Sequence, residues 1–199
     1  NMYIYIIIFV LGVHSMNVYD FDKTIYDGDS TIDFYFYCLK KYPSMILCLP
    51  KQIVAAIKYK VKLIDKTTFK EAFYCYFEKV PDIEMEIKCF WNKNEDKIKK
   101  WYKKKRQNDD VIISASPEFL LSEICGRIGI RNLIASKVDK KTGKYTGVNC
   151  YGKEKTERFH QEFPNKIIDE FYSDSYSDAP MAELAKKSFI VSKDMIKKW

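Results

Sequence analysis

The 199-residue chain is short of several things that would mark a specialised class. Its six cysteines (Cys38, Cys48, Cys75, Cys89, Cys125 and Cys150) are scattered, with no pair at CxxC spacing. A chain of this size needs no disulfide staples, so reduced thiols in a cytoplasmic setting are expected. His14 and His160 stand alone, and neither is assigned a role. There is no arginine from residue 31 to 105 and no acid between Lys40 and Lys62. No internal repeat or low-complexity tract occurs. No apolar run reaches the ~20 residues of a membrane-spanning helix. The longest, "MYIYIIIFVLGV" (2–13), lacks a basic n-region and a strong cleavage site. Residues 1–15 are read as an extension ahead of Met16. An added β-strand and a membrane-associating anchor are the alternatives.

What is present is ordinary globular composition, 47% hydrophobic and 31% charged. It suits one domain of ~100–200 residues with an insertion. The net charge of +7 is concentrated, since residues 31–110 hold 18 Lys/Arg against 11 Asp/Glu. Such a patch attracts phosphate, anionic lipid or nucleic acid, unless it is only a solvated lysine-rich helix face. No nucleic-acid-binding motif accompanies the lysines, so nucleic acid is not expected as the partner.

"NVYDFDKTIYDGD" (17–29) puts Asp20 and Asp22 two residues apart at the end of a short apolar run. Strand side chains repeat every two residues, so the two acids can share a face, where repulsion and burial disfavour them unless something pairs with them. Residues 31–106 then read as almost entirely helical. Thr67 or Thr68 is the candidate N-cap of "TTFKEAFYCYFEKV", and Pro81 opens one long helical pattern to Arg106.

Beyond residue 108 the pattern alternates. "DDVIISAS" reads as a buried strand and "PEFLLSEICGRIG" as a helix. "NLIASKVD" and "KYTGVNC" read as strands, "KEKTERFHQEF" as a helix and "KIIDEFYSDS" as a strand. "DAPMAELAKK" reads as a helix and "SFIVS" as the last strand. This order predicts a doubly wound, mostly parallel α/β sheet with a helical insertion after its first strand.

In that scheme "DFDKT", "SAS" and "DSYSD" all fall at strand ends, where open α/β sheets bind ligands. Asp20, Asp22, Ser114, Lys153 or Lys155, Asp174 and Asp178 are then expected to converge. Carboxylates without His or Cys partners suit a hard cation such as Mg²⁺. A lysine and a hydroxyl suit phosphate. With both bound, one Asp can act as nucleophile and the other as general acid and base.

The ordered set "YDFDKT", "IISAS", "GKEK" and "SDSYSD" resembles the four motifs of the haloacid dehalogenase-like phosphohydrolases. The helical block resembles the C1-type cap of their phosphoserine phosphatase-like subgroup (subfamily IB). The resemblance covers residues 16 to about 195. It implies a core of residues 16–30 and 107–199 and a cap of residues 31–106. It implies Asp20 as the nucleophile that forms an aspartyl-phosphate, and Asp22 as general acid/base. Ser114, the amide of Ala115, Thr24 and Lys155 are the implied phosphate-binding group, with Thr24 also stabilising its loop. Asp20, Asp22, Asp174 and Asp178 are implied around Mg²⁺, Asp22 through its carbonyl and Asp178 from behind. Lys155 fits the GxEK spacing better than Lys153. Lys23 stands where many members have Gly, and Ser173 where a Gly usually precedes the first acid.

The expected function is therefore Mg²⁺-dependent hydrolysis of a phosphomonoester chosen by the cap. The missing arginine counts against phosphoserine. "NLIAS", "CYGKEK" and "YSDSYSDAP" are similar to phosphatidylglycerophosphatase C-like members, which makes a lipid phosphate the alternative substrate, with peripheral membrane contact through residues 44–62. Against this, the apolar residues of that stretch can simply pack the helical bundle. A non-catalytic basic anion- or nucleic-acid-binding module is the competing class. Ser114 and Ser116 can also cap the helix at Pro117, and Asp178 the one before "APMAEL". Gly28 is read as the flexible hinge into the cap.

Overall fold

The structure, a computed structural model, describes residues 15–199, so the readings made for residues 1–14 lie outside the described residues. Among the described residues six strands form one sheet: β1 (Ser15–Tyr19), β2 (Val111–Pro117), β3 (Asn132–Ser136), β4 (Ile167–Ser173), β5 (Ala185–Ser192) and β6 (Met195–Lys198). Their order is β3-β2-β1-β4-β5-β6. β1 to β5 pair in parallel, and β6 returns antiparallel along β5. β1 and β2 are buried on both faces, which explains their apolar runs. Alternation sorts their side chains. Tyr19 and Ile112 join one core, and Val18, Val111 and Ile113 join the other, with Phe159, Phe171 and Met181. β6 was not anticipated. All four of its residues are exposed, and it carries Lys197 and Lys198, which disfavour further pairing at that edge.

Between β1 and β2 lie α1 (Ser30–Lys41), α2 (Leu49–Lys60), α3 (Lys66–Phe73), α4 (Ile83–Asn94) and α5 (Lys100–Lys105), joined by 3₁₀ turns. The long pattern from Pro81 breaks at residues 95–99, where Ile98 bridges Tyr26. There Asp27 N donates to Lys97 O (2.9 Å) and Lys99 N to Ile25 O (2.8 Å), so the strands of chain entering and leaving the insertion hold each other. The α3 N-cap is Asp65, whose carboxylate accepts from Thr68 N at 2.7 Å; neither Thr67 nor Thr68 caps it. Asp competes well for that position, and the threonines fall inside the first turn. After β2 come α6 (Glu118–Arg127), α7 (Lys153–Glu162) and the single turn α8 (Ala179–Ala182). "KYTGVNC" forms no strand, only a Val138–Tyr145 bridge, and "AELAKK" turns into β5.

The insertion is packed by aromatic rings. Trp91 is fully buried, meets Phe21, Tyr26 and Phe90 edge-on, and donates from Nε1 to Leu120 O (2.8 Å). Tyr35, Tyr74 and Tyr76 are buried too, and Tyr37 stacks on Phe34. Glu86 of α4 is a buried carboxylate with three donors from α1 and its end: Tyr37 (2.8 Å), Lys41 (2.6 Å) and Tyr42 (2.8 Å). Burial pushes its carboxyl up, but these donors outweigh burial and hold it below the usual value of 4.5. The stability it contributes is present above the unfolded pKa and is lost as pH falls through the lower folded value. Glu86→Gln is expected to cost about 1–3 kcal/mol at pH 7, read from urea melts, with a smaller difference near pH 3.

Gly28 adopts φ +153°, and a Cβ there would lie 2.7 Å from Asp33 Oδ2 and 3.0 Å from the Tyr26 ring. Glycine is needed there for backbone conformation and close approach, a physical reason different from flexibility.

Candidate active site

β1 feeds the site directly. Asp20 follows its last residue, and its N–H donates to Tyr172 O of β4 (2.9 Å). Asp174 follows β4 in the same way, and Ser114 to Ser116 lie at the carboxyl end of β2, just before its last residue, Pro117. β1 lies between β2 and β4, where the winding of the sheet reverses, and a crevice opens there outside the carboxyl ends of the strands. The crevice is a cavity of about 350 Å³ lined by Asp20, Asp22, Asp29, Asp174, Asp178, Ser114, Ala115, Ser116 and the lysines 23, 66, 70 and 155.

Lys155, in the first turn of α7, is buried. Its Nζ donates to Asp20 Oδ1 (2.7 Å) and Asp178 Oδ2 (2.8 Å). Lys153 is exposed. Gly152 is the N-cap residue of α7 and holds φ +59°, a conformation glycine adopts without strain. Burial works against the Lys155 charge, but the two carboxylates outweigh it and keep the ammonium protonated. Each carboxylate has only a share of one ammonium. Burial, with Asp178 adding to it, therefore raises Asp20 to about 7 against the pull of Lys155.

Asp22 is held apart from this pair. Its Oδ1 accepts from Ser30 N (2.6 Å), the first residue of α1, and its Oδ2 accepts from Ser116 Oγ (2.5 Å). Burial and then Asp29 push its carboxyl up to about 6, against those two hydrogen bonds. Ser116 is thus no helix cap, for no side chain caps α6. Ser114 Oγ accepts from Ser116 N (3.1 Å) and keeps its own proton to donate. Asp178 likewise caps nothing with its side chain, since its Oδ2 is taken by Lys155 and Ser173 Oγ (2.8 Å). Thr24 is fully buried behind Asp20, donates to its Oδ2 at 3.3 Å, and does not line the cavity. Lys23 holds φ +58°, which accounts for glycine being apt at that position. Lys99 Nζ steadies its carbonyl at 2.7 Å.

Three contributors were not anticipated. Ser116 and Ser30 orient Asp22. Lys70 of α3 reaches across the cavity and donates to Ala115 O at 2.7 Å. Burial first, and Lys66 next, lower its ammonium to about 8. The spacing Lys66, Phe69, Lys70, Phe73 is a helical stripe visible in the sequence, but only tertiary packing aims it at the cavity.

The donor chemistry can be tested for a cation. Among the described residues, no three His, Cys, Asp or Glu side chains converge to enclose a metal ion by themselves. Mg²⁺ does not need that, taking one or two protein carboxylates with water and phosphate oxygens. Asp174 offers such a group, since no described side chain donates to its carboxylate, and burial holds its pKa up. Asp20 and Asp178 set two carboxyl groups against one ammonium, an excess of acid that a divalent cation can balance.

A doubly wound sheet with an acid-rich crevice at its switch point is the architecture of an α/β enzyme working outside its strand ends. The chain belongs to the haloacid dehalogenase-like hydrolases, whose family model matches residues 18–183. No curated protein sequence matches it. Among solved structures it is similar to a Bordetella pertussis Tohama I protein of unknown function, at TM-score 0.72 and 16% identity, covering 88% of this chain and 89% of that one. It is also similar to a phosphoserine phosphohydrolase-like protein from Francisella tularensis, at TM-score 0.56 and 16% identity, covering 88% and 86%. At such identities these likenesses show the shared fold.

Proposed function

We propose that the chain is a phosphomonoester hydrolase acting through an aspartyl-phosphate on Asp20. The observation that carries this reading is the separation of two acids: Asp20 bonded to buried Lys155, and Asp22 held 2.5–2.6 Å from Ser116 and Ser30. An Asp20 oxygen attacks phosphorus, and the ester oxygen leaves with a proton from Asp22. Asp22 then takes a proton from water, which attacks the acyl-phosphate, releases inorganic phosphate and restores Asp20. Ser114 and the Ala115 amide bind the phosphoryl oxygens, and Lys155 offsets their charge. Asp20 and Asp174, with the Asp22 carbonyl, would hold Mg²⁺, which supplies positive charge to the phosphoryl oxygens. Asp178 acts on Lys155.

In this reading residues 16–30 and 107–199 are the core and 31–106 the cap, which selects the substrate. The neighbour from Francisella is phosphoserine phosphohydrolase-like, but residues 31–105 here hold no arginine to read a substrate carboxylate. A second reading, in line with the phosphatidylglycerophosphatase C-like resemblance, makes the substrate a lipid phosphate. It is favoured by Ile53, Val54 and Ile57, which are exposed on the helix next to the one lining the cavity.

The experiment is a phosphomonoester panel, soluble and micellar, run with and without Mg²⁺. Release of phosphate from at least one ester, dependent on Mg²⁺, is expected; silence across the panel would sink the proposal. Within it, Ser116→Ala removes one bond to ionised Asp22, worth about 1.5–3 kcal/mol. The Asp22 inflection in the pH–rate profile is then expected to move up from about 6 by about one to two units. An unmoved inflection would remove Asp22 from the proton transfer.

A further inference from the structure

Surface helices of globular proteins turn an apolar stripe inward and a polar one to water. α2 does the reverse. Its buried residues are Gln52 and Ala55. Gln52 is committed inward, accepting from Tyr35 OH (3.1 Å) and donating to Phe73 O (2.9 Å). Outward, Pro50, Ile53, Val54 and Ile57 follow the i, i+3, i+4, i+7 spacing of one helical face. Ile53, Val54 and Ile57 are each more than half exposed. Leu47 before the helix and Leu63 after it are exposed by 73% and 74%. Of the apolar residues of 44–62, Met45, Cys48 and Ala55 do pack inward, while Ile53, Val54 and Ile57 face water, and an apolar patch of this extent marks an interaction surface.

Charge narrows the partner. At 100° per residue, Lys51 and Lys58 flank the apolar stripe on one side and Lys60 on the other, all exposed. No acid occurs from residue 34 to 64. An apolar stripe bordered by lysines on both sides, with no acid to repel, is complementary to the interface of an anionic bilayer. The surface is coupled to the cavity through α3. Tyr59 of α2 stacks on Phe69 of α3, with centroids 5.1 Å apart. Phe69 also lines the cavity, with Lys66, Lys70 and Phe73.

We propose that α2 is a docking helix that lies in the surface of an anionic lipid bilayer and brings the mouth of the cavity to it. The inference is independent of the hydrolytic reading, because binding is measured without turnover.

The test is co-sedimentation of the full chain with phosphatidylcholine vesicles, pure or with about one-third phosphatidylglycerol, at ~0.1 M salt. Binding is expected only to the anionic vesicles. Lys51→Ala is expected to weaken it about fivefold, and Ile53→Ser with Ile57→Ser about tenfold or more. These side chains face water, so both variants should melt at the wild-type temperature. Equal binding to both vesicle types, or none, would overturn the proposal. So would loss of binding on deleting residues 1–14 while the Ile53→Ser, Ile57→Ser variant still binds, which would assign the contact to the apolar run 2–13. A dimer by light scattering that this double variant dissociates, with no vesicle binding, would make the face a contact between copies and overturn it as well.

Discussion

Asp20→Asn is expected to lower phosphomonoester hydrolysis by about 10³-fold or more while leaving the fold intact. The amide keeps the shape of the side chain and its one oxygen can still accept from Lys155, 2.7 Å from Asp20 Oδ1, while its NH2 takes the place of Oδ2 and can donate to the Thr24 hydroxyl now 3.3 Å away. What disappears is the nucleophilic carboxylate. Removing one of two buried carboxylates that share a single ammonium also relieves charge repulsion, so the melting temperature should hold or rise. Steady-state rates on whichever ester the panel identifies, with a thermal melt beside them, check both parts. Activity within tenfold of wild type would exclude Asp20 as the nucleophile, whatever the substrate.

Lys155→Met is expected to lose activity and also about 3–5 kcal/mol of stability at neutral pH. Met roughly matches the stem of lysine, so packing changes little. Electrostatics change greatly, since Asp20 and Asp178 are left buried without the ammonium that stands 2.7 and 2.8 Å from them. Burial already raises Asp20 to about 7 in the presence of Lys155, and removing the lysine moves it higher. A carboxyl whose folded pKa exceeds its unfolded value destabilises the fold when ionised. That penalty shrinks as pH falls from the folded value toward ~4. Urea melts of both proteins at pH 8 and pH 5 should therefore show a gap that narrows at pH 5. A gap under about 1 kcal/mol at pH 8 would mean that Lys155 is not the counter-charge that permits this cluster.

The acids were legible in the sequence because strand geometry makes them so. An apolar run that ends in Asp20-Phe21-Asp22 announces both a buried strand and the charges at its tip, and "IISAS" and "SDSYSD" repeat the device. The lysine was legible as a pair, and placement in the first turn of α7 separates buried Lys155 from exposed Lys153. Ser116 looked like a cap because a serine before Pro117 commonly is one, and its bond to Asp22 spans 94 residues of chain. Lys70 looked like one solvated lysine among many. Local pattern has no term for contacts so distant in sequence. The turn into β5 failed for a related reason. "AELAKK" has helix-forming residues, but Ala185 to Lys187 pair along β4, and sheet pairing overrides a weak local propensity.

The sequence by itself determined the alternation of strands and helices up to the last turn of the sheet, apart from one expected strand, together with the doubly wound class and the acids at the strand ends. These follow from periodicities of 2 and 3.6 residues and from charges placed where such periods stop. Only the tertiary structure decided which donors hold Asp22, that Lys70 spans the cavity, and that α2 presents Ile53, Val54 and Ile57 to water. The reason is physical. A helical stripe says which residues share a face, while the direction of that face is chosen by what packs against the helix, and here Gln52 is the residue that finds partners inside.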